Sequence, residues 1–209
     1  MEPWEIIRAI IIVVAAYLIG GIPWGVIIAR LTGGPDPRTI GSGRTGGSNA
    51  IRSLGLRWGL AAGILDLLKG VVAVLLARAL GAGPGVEVVA ALAAVVGHSR
   101  SPFLGLNGGR GVATGFGALL VFSPIVALII VPIFGLTIWI TKYSSVGSLV
   151  ATGLGGLGLA IATAVVPLSP WYYLYAGVGT LLIFLFHTDN IQRLLAGQER
   201  KVGTPRPAD

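Results

Sequence analysis

Apolar runs long enough to cross a lipid bilayer occupy most of this chain, beginning with the run from Ala9 to Ala29. About 20 apolar residues are needed to span the hydrocarbon core as a helix. The 209 residues are 54% hydrophobic and only 11% charged, which lies well outside the range of soluble domains. Since lipid offers no hydrogen-bond partners to the backbone, such runs predict helices. We therefore expect an all-α integral membrane protein that forms a single polytopic domain over residues 1–209.

The number of crossings depends on the stretch from Val112 to Ile140, which is longer than one span needs and contains Ser123-Pro124 in its middle. Ser followed by Pro is typical of a helix start, so the stretch is either two short helices or one kinked helix. With two helices, twelve basic residues lie on one side of the membrane and two on the other, whereas one helix gives a division of seven to seven. The positive-inside bias favours two helices, an N terminus outside and a cytoplasmic C terminus. The seven predicted spans are 9–29, 58–80, 86–97, 112–122, 124–140, 146–166 and 171–186.

A polar, glycine-rich segment from Gly41 to Arg52 lies between the first two spans. Its glycines let backbone N–H groups converge on one point, and its hydroxyl and amide side chains add donors. Arg52 supplies a positive charge suited to phosphate oxygens. The segment therefore predicts a phosphate cradle, and a flexible cytoplasmic loop whose arginines only fix the topology is the alternative. The candidate ligand contacts are Gly41, Ser42, Gly43, Thr45, Gly46, Gly47, Ser48, Asn49 and Arg52.

A second glycine- and arginine-bearing segment, from Gly97 to Thr114, follows the short apolar run 86–97. Twelve residues give roughly 18 Å of helix against a core of about 30 Å, so the segment is expected to sink into the bilayer plane. Its Gly-Gly-Arg-Gly sequence resembles a phosphate-binding turn at a helix N terminus, and a plain helix-entry turn is an equal alternative. The candidate contacts here are His98, Gly108, Gly109, Arg110, Gly111 and Thr114.

Two charged residues, Asp66 and Lys69, lie near the middle of the second span. They are three positions apart, so they share one helix face and can pair. We favour a structural ion pair that faces the bundle interior over direct substrate contact, although buried charge in a membrane indicates function by default.

Four polar elements share one side of the membrane in the seven-span topology: the two glycine-rich segments, the connection that contains Ser144, and the C-terminal tail. The tail predicts a short amphipathic helix on which Asn190 and Arg193 share a face, and Glu199 is expected to pair with a nearby arginine. His98 and His187 each end an apolar run, where interface capping is at least as common as catalysis. Together the four elements suit a ligand that carries phosphoryl groups and an apolar tail, which indicates lipid metabolism.

Missing residues exclude several kinds of chemistry. The chain has no cysteine, which excludes disulfides, thiolate metal sites and acyl-cysteine intermediates. The His-x4-Asp dyad of the common glycerolipid acyltransferases is also missing, because Phe103 and Gln192 occupy the positions where it requires aspartate.

The basic residues lie between apolar runs, so orientation and anionic ligands explain them better than nucleic acid. A transporter of organic phosphates is the competing class; it usually has an inverted repeat, and no repeat is visible between the halves.

The motifs, taken in this order, resemble those of the bacterial acyl-phosphate:glycerol-3-phosphate acyltransferases over nearly the full chain. The matching stretches are Gly41-Ser42-Gly43 through Asn49 and Arg52, Asp66-Leu67-Leu68-Lys69-Gly70, Gly97-His98 with Pro102-Phe103-Leu104, Gly108 to Thr114, Tyr143-Ser144-Ser145 with Ser148, and His187 to Glu199. Two positions depart from the pattern of the family. Arg44 replaces its usual Asn, which leaves the role of this position open, and Arg110 replaces its usual Lys, which keeps the charge but changes the reach.

The resemblance implies transfer of a fatty acyl group from acyl phosphate to the 1-hydroxyl of glycerol-3-phosphate, giving lysophosphatidic acid and phosphate in the first step of phospholipid synthesis. It places Ser42 and Arg52 in a functional motif, the Gly108 to Gly111 turn on glycerol-3-phosphate, His187 and Asn190 in catalysis, and Glu199 in a structural role. Direct attack on a mixed anhydride needs orientation and charge neutralisation, not an enzyme nucleophile. The base is left open between His187, His98 and a substrate phosphate.

From the residues and the resemblance together, we expect Ser42, Thr45 and the loop amides to hold acyl phosphate. Arg52, Arg110, His187 and Asn190 are expected to hold glycerol-3-phosphate, with Ser144 and Arg193 also near the substrate. No metal and no cofactor is expected. The predicted location is the bacterial plasma membrane, with the site facing the cytoplasm and membrane lipid around it. We expect a monomer or weak oligomer and no nucleic-acid partner.

Overall fold

The computed structural model describes residues 2–203, which fold into nine helices, with no strand in that range. Single 3₁₀ turns lie at Pro37–Thr39 and Pro102–Leu104, and a π-helical turn at Tyr175–Gly179 lies within the eighth helix. The predicted all-α fold is therefore confirmed. The helices are α1 Pro3–Gly21, α2 Trp24–Thr32, α3 Gly47–Ala79, α4 Pro84–Ser99, α5 Val112–Phe122, α6 Pro124–Thr141, α7 Ser144–Val165, α8 Trp171–Leu185 and α9 Thr188–Leu195.

Helix length separates clear membrane-span candidates from shorter helices. Four helices, α1, α3, α6 and α7, are long and apolar enough to cross a membrane, and α8 with α9 would make a fifth if this pair, bent by 59°, is one span. Helix α5 has only 11 residues, and the 16 residues of α4 rise about 24 Å. By length and composition alone, the described residues thus hold four or five candidates, not seven.

The prediction of one uninterrupted span over 9–29 is wrong, because α1 ends at Gly21 and α2 begins at Trp24. The break is at Pro23, which has no backbone N–H to continue the helix and disfavours a helical conformation at the residue before it. The glycines before the break allow close packing instead. A Cβ on Gly20 would overlap the backbone of Ala94 in α4.

The second predicted span, 58–80, is part of a longer helix. Helix α3 begins at Gly47 and continues to Ala79, with a sharp break at Gly55, where φ is 80° and ψ is 174°. Only glycine adopts this conformation without strain. Consequently the second half of the predicted phosphate loop is not a loop, and the stretch from Gly47 to Arg52 is the first helical part of α3.

The stretch from Val112 to Ile140 forms two helices, as the Ser-Pro pair predicts. Helix α5 ends at Phe122 and α6 starts at Pro124, with Ser123 between them as the N-cap residue. Phe122 then packs on two aromatic rings of α8, with ring centroids 4.6 Å from Tyr172 and 4.9 Å from Tyr175. The break thus turns the chain back while α5 stays anchored in the core.

Small residues pack the helices of the bundle closely. Alanines of α1, α3 and α4 form one buried cluster, and α3 crosses α5 where a Cβ on Gly70 would overlap the carbonyl oxygen of Thr114. Without a strong hydrophobic drive between helices in lipid, such close contact is what holds them together. Large apolar side chains such as Ile125, Leu128 and Trp139 are exposed on the outside of the bundle, as lipid contact requires.

Candidate active site

A cavity of about 400 Å³ lies where the N-terminal ends of several helices meet. First-turn residues of three helices line it: Gly47 and Ser48 of α3, Val112 and Ala113 of α5, and Ser144 of α7. The first N–H groups of a helix have no partner inside the helix, and the helix dipole is positive at that end. Three such ends around one space make it suited to anions.

Four arginines add formal positive charge to the cavity wall: Arg44, Arg52, Arg110 and Arg200. Of the acidic residues in the same wall, Asp66 is paired with Lys69 and Glu199 is paired with Arg193. The cavity is therefore positively charged overall and has room for more than one anionic group.

Asn49 organises the first glycine-rich segment. Its Oδ1 accepts a hydrogen bond from the backbone N–H of Ser42 at 3.1 Å, and its Nδ2 donates to the carbonyl oxygens of Pro37, Ile40 and Arg44 at 2.7, 3.0 and 2.8 Å. The side chain is buried, and both ends of its amide are hydrogen-bonded within the loop. The predicted ligand contact at Asn49 is thus better described as a loop-shaping contact.

The glycines at the start of this segment are needed for its backbone conformation. Gly41 and Gly43 have φ values of 59° and 68°, in the left-handed region that favours glycine. A Cβ on Gly41 would also overlap Oδ1 of Asn49. Neither glycine lines the cavity, and nor does the buried Thr45, whereas Ser42 and Gly46 do.

The second glycine-rich segment is wrapped around His98. The N–H of Gly109 donates to the carbonyl oxygen of His98 at 3.0 Å. A Cβ on Gly108 would overlap that carbonyl, and one on Gly109 would overlap the imidazole Nε2. Gly111, with φ of 80°, is the N-cap of α5. These glycines bring the backbone close to the histidine, while Arg110 and Gly111 form part of the cavity wall.

Asp66 and Lys69 form the predicted ion pair, and it faces His98. Nζ of Lys69 is 2.7 Å from Oδ1 of Asp66 and 3.3 Å from Nδ1 of His98, and all three side chains are buried. Asp66 and His98 line the cavity. The predicted pairing is therefore confirmed, the pair also contacts a residue of the cavity wall, and its structural role stays a prediction.

The C-terminal tail reaches the site through a network of charged and amide side chains. Nη2 of Arg110 is 2.8 Å from Oδ2 of Asp189, which is also 3.3 Å from Arg193. Glu199 accepts hydrogen bonds from Asn190 at 2.6 Å and from Arg193 at 2.8 Å. These contacts fix α9 against the second glycine-rich segment, and the predicted pairing of Glu199 with an arginine is confirmed.

His187 lies in the turn between α8 and α9, at the cavity wall. Its Nδ1 is 2.7 Å from the carbonyl oxygen of Ile183. A carbonyl only accepts, so Nδ1 carries the hydrogen and, in the neutral ring, Nε2 has a free lone pair. Burial lowers the pKa of His187 to about 4, which keeps the ring neutral at pH 7.

The profile of the family described as "Glycerol-3-phosphate acyltransferase" matches residues 10–197. The chain belongs to the glycerol-3-phosphate acyltransferase family. Among curated relatives, glycerol-3-phosphate acyltransferase of Anaeromyxobacter dehalogenans (strain 2CP-C) is 43% identical over 92% of this chain and 96% of its own. A relative of the same name from Thermus thermophilus is 41% identical over 90% of this chain and 92% of its own.

Two solved structures have the same fold. Both are of PlsY (YgiH), described as an integral membrane glycerol 3-phosphate acyltransferase, in the glycerol 3-phosphate form and the lysophosphatidic acid form. The TM-scores are 0.86 and 0.83, with 37% sequence identity over 94% of this chain and 96% of PlsY. The integral membrane class of this chain is thereby confirmed.

Most of the predicted site residues do come together in this member of the glycerol-3-phosphate acyltransferase family. Those that line the cavity are Ser42, Gly46, Gly47, Ser48, Asn49, Arg52, Asp66, His98, Arg110, Gly111, Ser144, His187, Asn190 and Glu199. Thr114 does not, because it is fully buried in α5 and its hydroxyl donates to the carbonyl oxygen of Asp66 at 2.9 Å. Arg193 is also outside the wall and is engaged by two carboxylates.

Several residues of the site were not predicted. Asp189, which joins Arg110 to Arg193, could have been found from its spacing of four to Arg193 on one helix. Arg200 gives no such signal, because nothing in the sequence indicates that the chain after α9 folds back to the cavity. In the described part of the chain, no three metal-ligating side chains come together.

Proposed function

We propose that this protein transfers a fatty acyl group from acyl phosphate to the 1-hydroxyl of glycerol-3-phosphate, giving lysophosphatidic acid and phosphate. Family membership supports the acyl acceptor and the reaction class. The observation that carries the proposal is the composition of the cavity wall, which combines three helix N termini and four arginines with apolar side chains of α3 and α6. Such a cavity fits two phosphoryl groups and one acyl chain.

The apolar part of the wall gives the acyl chain an exit into lipid. Leu60 and Ile64 of α3 and Val131 of α6 line the cavity, and each is also about half exposed on the outside of the bundle. A substrate with its phosphoryl group in the cavity can therefore leave its tail between these two helices. The donor would then enter sideways from the bilayer.

The two phosphoryl groups have different partners in this proposal. Ser42 and the first-turn amides of α3 hold the acyl phosphate, while Arg52 and Arg110 hold glycerol-3-phosphate. Thr45 is not assigned to the acyl phosphate here, because it lies outside the cavity wall. Oδ1 of Asn190 is buried without a protein partner among the described residues, so it is placed to accept a hydrogen bond from a substrate hydroxyl.

The reaction is a direct acyl transfer. The 1-hydroxyl oxygen attacks the acyl carbon, the bond between that carbon and the phosphate oxygen breaks, and phosphate leaves with the bonding electrons. The hydroxyl proton passes to Nε2 of His187 and then to the departing phosphate. Because bound phosphate raises the pKa of a nearby imidazole, His187 becomes a stronger base once both substrates are in place.

The test uses purified protein in lipid with glycerol-3-phosphate and a long-chain acyl phosphate, without any thioester. We expect lysophosphatidic acid and phosphate in equal amounts. No product from folded protein would refute the proposal, and movement of glycerol-3-phosphate across sealed vesicles would instead favour a transporter.

The role of His187 has its own test. We expect His187→Gln to lower kcat by about 100-fold or more, since positioned general bases contribute that much, with a smaller change in KM. A fully active variant would point to a substrate phosphate as the base.

We also propose seven crossings, with the N terminus outside and the site facing the cytoplasm of a bacterial plasma membrane. Helices α4 and α5 would be the two short crossings. We also propose that the active form is a monomer or a weak oligomer.

A further inference from the structure

The buried cluster of Asp66, Lys69 and His98 has a chemical consequence beyond charge pairing. A lysine ammonium has three hydrogens to donate and no lone pair to accept with. Nζ of Lys69 is 3.3 Å from Nδ1 of His98. For this contact to be a hydrogen bond, Nδ1 must be the unprotonated nitrogen of the ring, and the hydrogen must then be on Nε2.

The alternative partner of Nδ1 is the carboxylate of Asp66, which would require a hydrogen on Nδ1. Oδ1 of Asp66 is 3.6 Å from Nδ1, outside hydrogen-bonding distance. The same oxygen is 2.7 Å from Nζ of Lys69, so the carboxylate is already paired with the ammonium. The geometry therefore favours Lys69 as the donor to His98.

The opposite edge of the His98 ring faces the site. A Cβ on Gly109 would overlap Nε2, and a Cβ on Gly46 would be 3.9 Å from it. These two glycines belong to the two different glycine-rich segments, and His98 itself lines the cavity. An Nε2–H at this position would point between the two glycine-rich segments.

We propose that Lys69 is a positioning residue that fixes His98 as the Nε2–H tautomer, so that this ring donates a hydrogen bond to a phosphoryl oxygen in the cavity. The identity of the anion rests on the proposed function, whereas the tautomer does not. His187 has the opposite arrangement, since its Nδ1 donates to the carbonyl oxygen of Ile183. The two histidines thus have complementary roles: His98 donates to the substrate and His187 accepts from it.

The chain has only two histidines, so the tautomers can be measured directly. The experiment is ¹⁵N NMR of the full-length protein, labelled at histidine, in lipid at pH 7.5 and without substrate. His98→Gln and His187→Gln variants assign the signals. We expect a protonated Nε2 for His98 and a protonated Nδ1 for His187, which serves as the internal control. A protonated Nδ1 on His98, alone or together with Nε2, would overturn the proposal.

Adding inorganic phosphate tests the donor role. We expect the Nε2 signal of His98 to shift as phosphate binds, and an unchanged signal at saturating phosphate would overturn this part. Because neither measurement depends on turnover, a failed tautomer result is distinguishable from a failed acyl-transfer assay.

A double variant then tests the part played by Lys69. Asp66→Leu with Lys69→Met removes both charges together, because a single substitution would leave a buried unpaired charge. We expect His98 to become a mixture of tautomers, with the signals of His187 unchanged and KM for at least one substrate raised about 10-fold or more. A retained pure Nε2–H tautomer in this variant would refute the role of Lys69.

Discussion

At the residue scale, Arg110 contacts Asp189 and, in the proposed function, also binds the phosphate of glycerol-3-phosphate. Its Nη2 is 2.8 Å from Oδ2 of Asp189, and its side chain is only 16% exposed. Hydrogen bonds to a charged group contribute about 1.5–3 kcal/mol, so we expect Arg110→Met to lower kcat/KM for glycerol-3-phosphate about 100-fold. Arg110→Lys should lower kcat/KM by less than about 10-fold, because lysine keeps the charge and lacks only the paired N–H donors of the guanidinium.

Arg38 provides a matched control for this substitution. It pairs with Asp36 at 2.6 Å on the exterior and is not in the cavity wall. Arg38→Met removes the same charge and should leave kcat/KM unchanged. Equal losses in Arg38→Met and Arg110→Met would mean that overall charge, not the phosphate contact, is responsible.

Glu199 predicts a pH dependence of stability. Burial raises the pKa of this carboxyl group, but the hydrogen bonds from Asn190 and Arg193 outweigh burial and lower the pKa below the ordinary 4.5. Since the folded pKa is the lower one, the stabilisation is complete above pH 4.5 and is lost as pH falls through the folded pKa. We expect Glu199→Gln to lower the thermal midpoint by about 3 °C at pH 7, and the difference from wild type to shrink in acid. In an Arg193→Met background, Glu199→Gln should lower the thermal midpoint by less. An equal lowering in both backgrounds would contradict the pairing of Glu199 with Arg193.

Residue types predicted where chemistry is concentrated, but not what each side chain contacts. The glycine and arginine pattern led correctly to the two segments that form the cavity. The amide of Asn49 and the hydroxyl of Thr114 could not be distinguished from ligand contacts, because their partners are carbonyl oxygens of Pro37 and Asp66 that only the folded backbone brings near. A polar residue in a sequence shows that a side chain needs hydrogen-bond partners, but it does not show which atoms those partners are.

At the scale of the helix, the crossing of α3 and α5 holds together the helices that supply two of the three N termini at the cavity. Gly70 lies at this crossing, where a Cβ would overlap the backbone of Thr114 and approach that of Ala118 to 2.8 Å. Backbone atoms cannot rotate away, so we expect Gly70→Ala to destabilise the fold by about 2–3 kcal/mol and to lower the thermal midpoint by about 5–10 °C. Gly135→Ala in α6 is the control, since nothing lies within 4 Å of its Cβ position. Equal thermal midpoints for the two variants would show that α3 and α5 are less closely packed at Gly70 than these distances indicate.

Helix boundaries were predictable where one residue decides them and not where packing does. The Ser-Pro pair correctly separated α5 from α6, since proline at the first helical position is a local signal. The break at Pro23 was missed, because apolar composition continues across it. The start of α3 at Gly47 was missed, because the residues from Gly47 to Arg52 have the polar, glycine-rich composition of a loop. Apolar composition indicates that a run contacts lipid. Backbone geometry decides whether that run forms one continuous helix.

At the scale of the whole molecule, the cavity itself argues for seven crossings. Its wall combines Gly46, before α3, with Arg110, between α4 and α5, and with His187, after α8. If this cavity opens at one face of the membrane, as we propose, the segments that carry these residues are on the same side. If α4 and α5 did not cross, the segment with Arg110 would be on the side opposite the other two.

Asn107 therefore decides between five and seven crossings, because the segment around it is the only one whose side differs between the two topologies. The chain has no cysteine, so a single introduced thiol reports its own location, and Asn107 is exposed. With seven crossings, we expect a membrane-impermeant maleimide to label Gly83→Cys on intact cells, and Asn107→Cys and Val202→Cys only after permeabilisation. Labelling of Asn107→Cys on intact cells, with Val202→Cys still protected, would establish five crossings and separate Arg110 from the rest of the site. If Gly83→Cys is protected and the other two variants are labelled on intact cells, the orientation is the reverse of the one proposed. Most basic residues would then face outward, against the positive-inside bias.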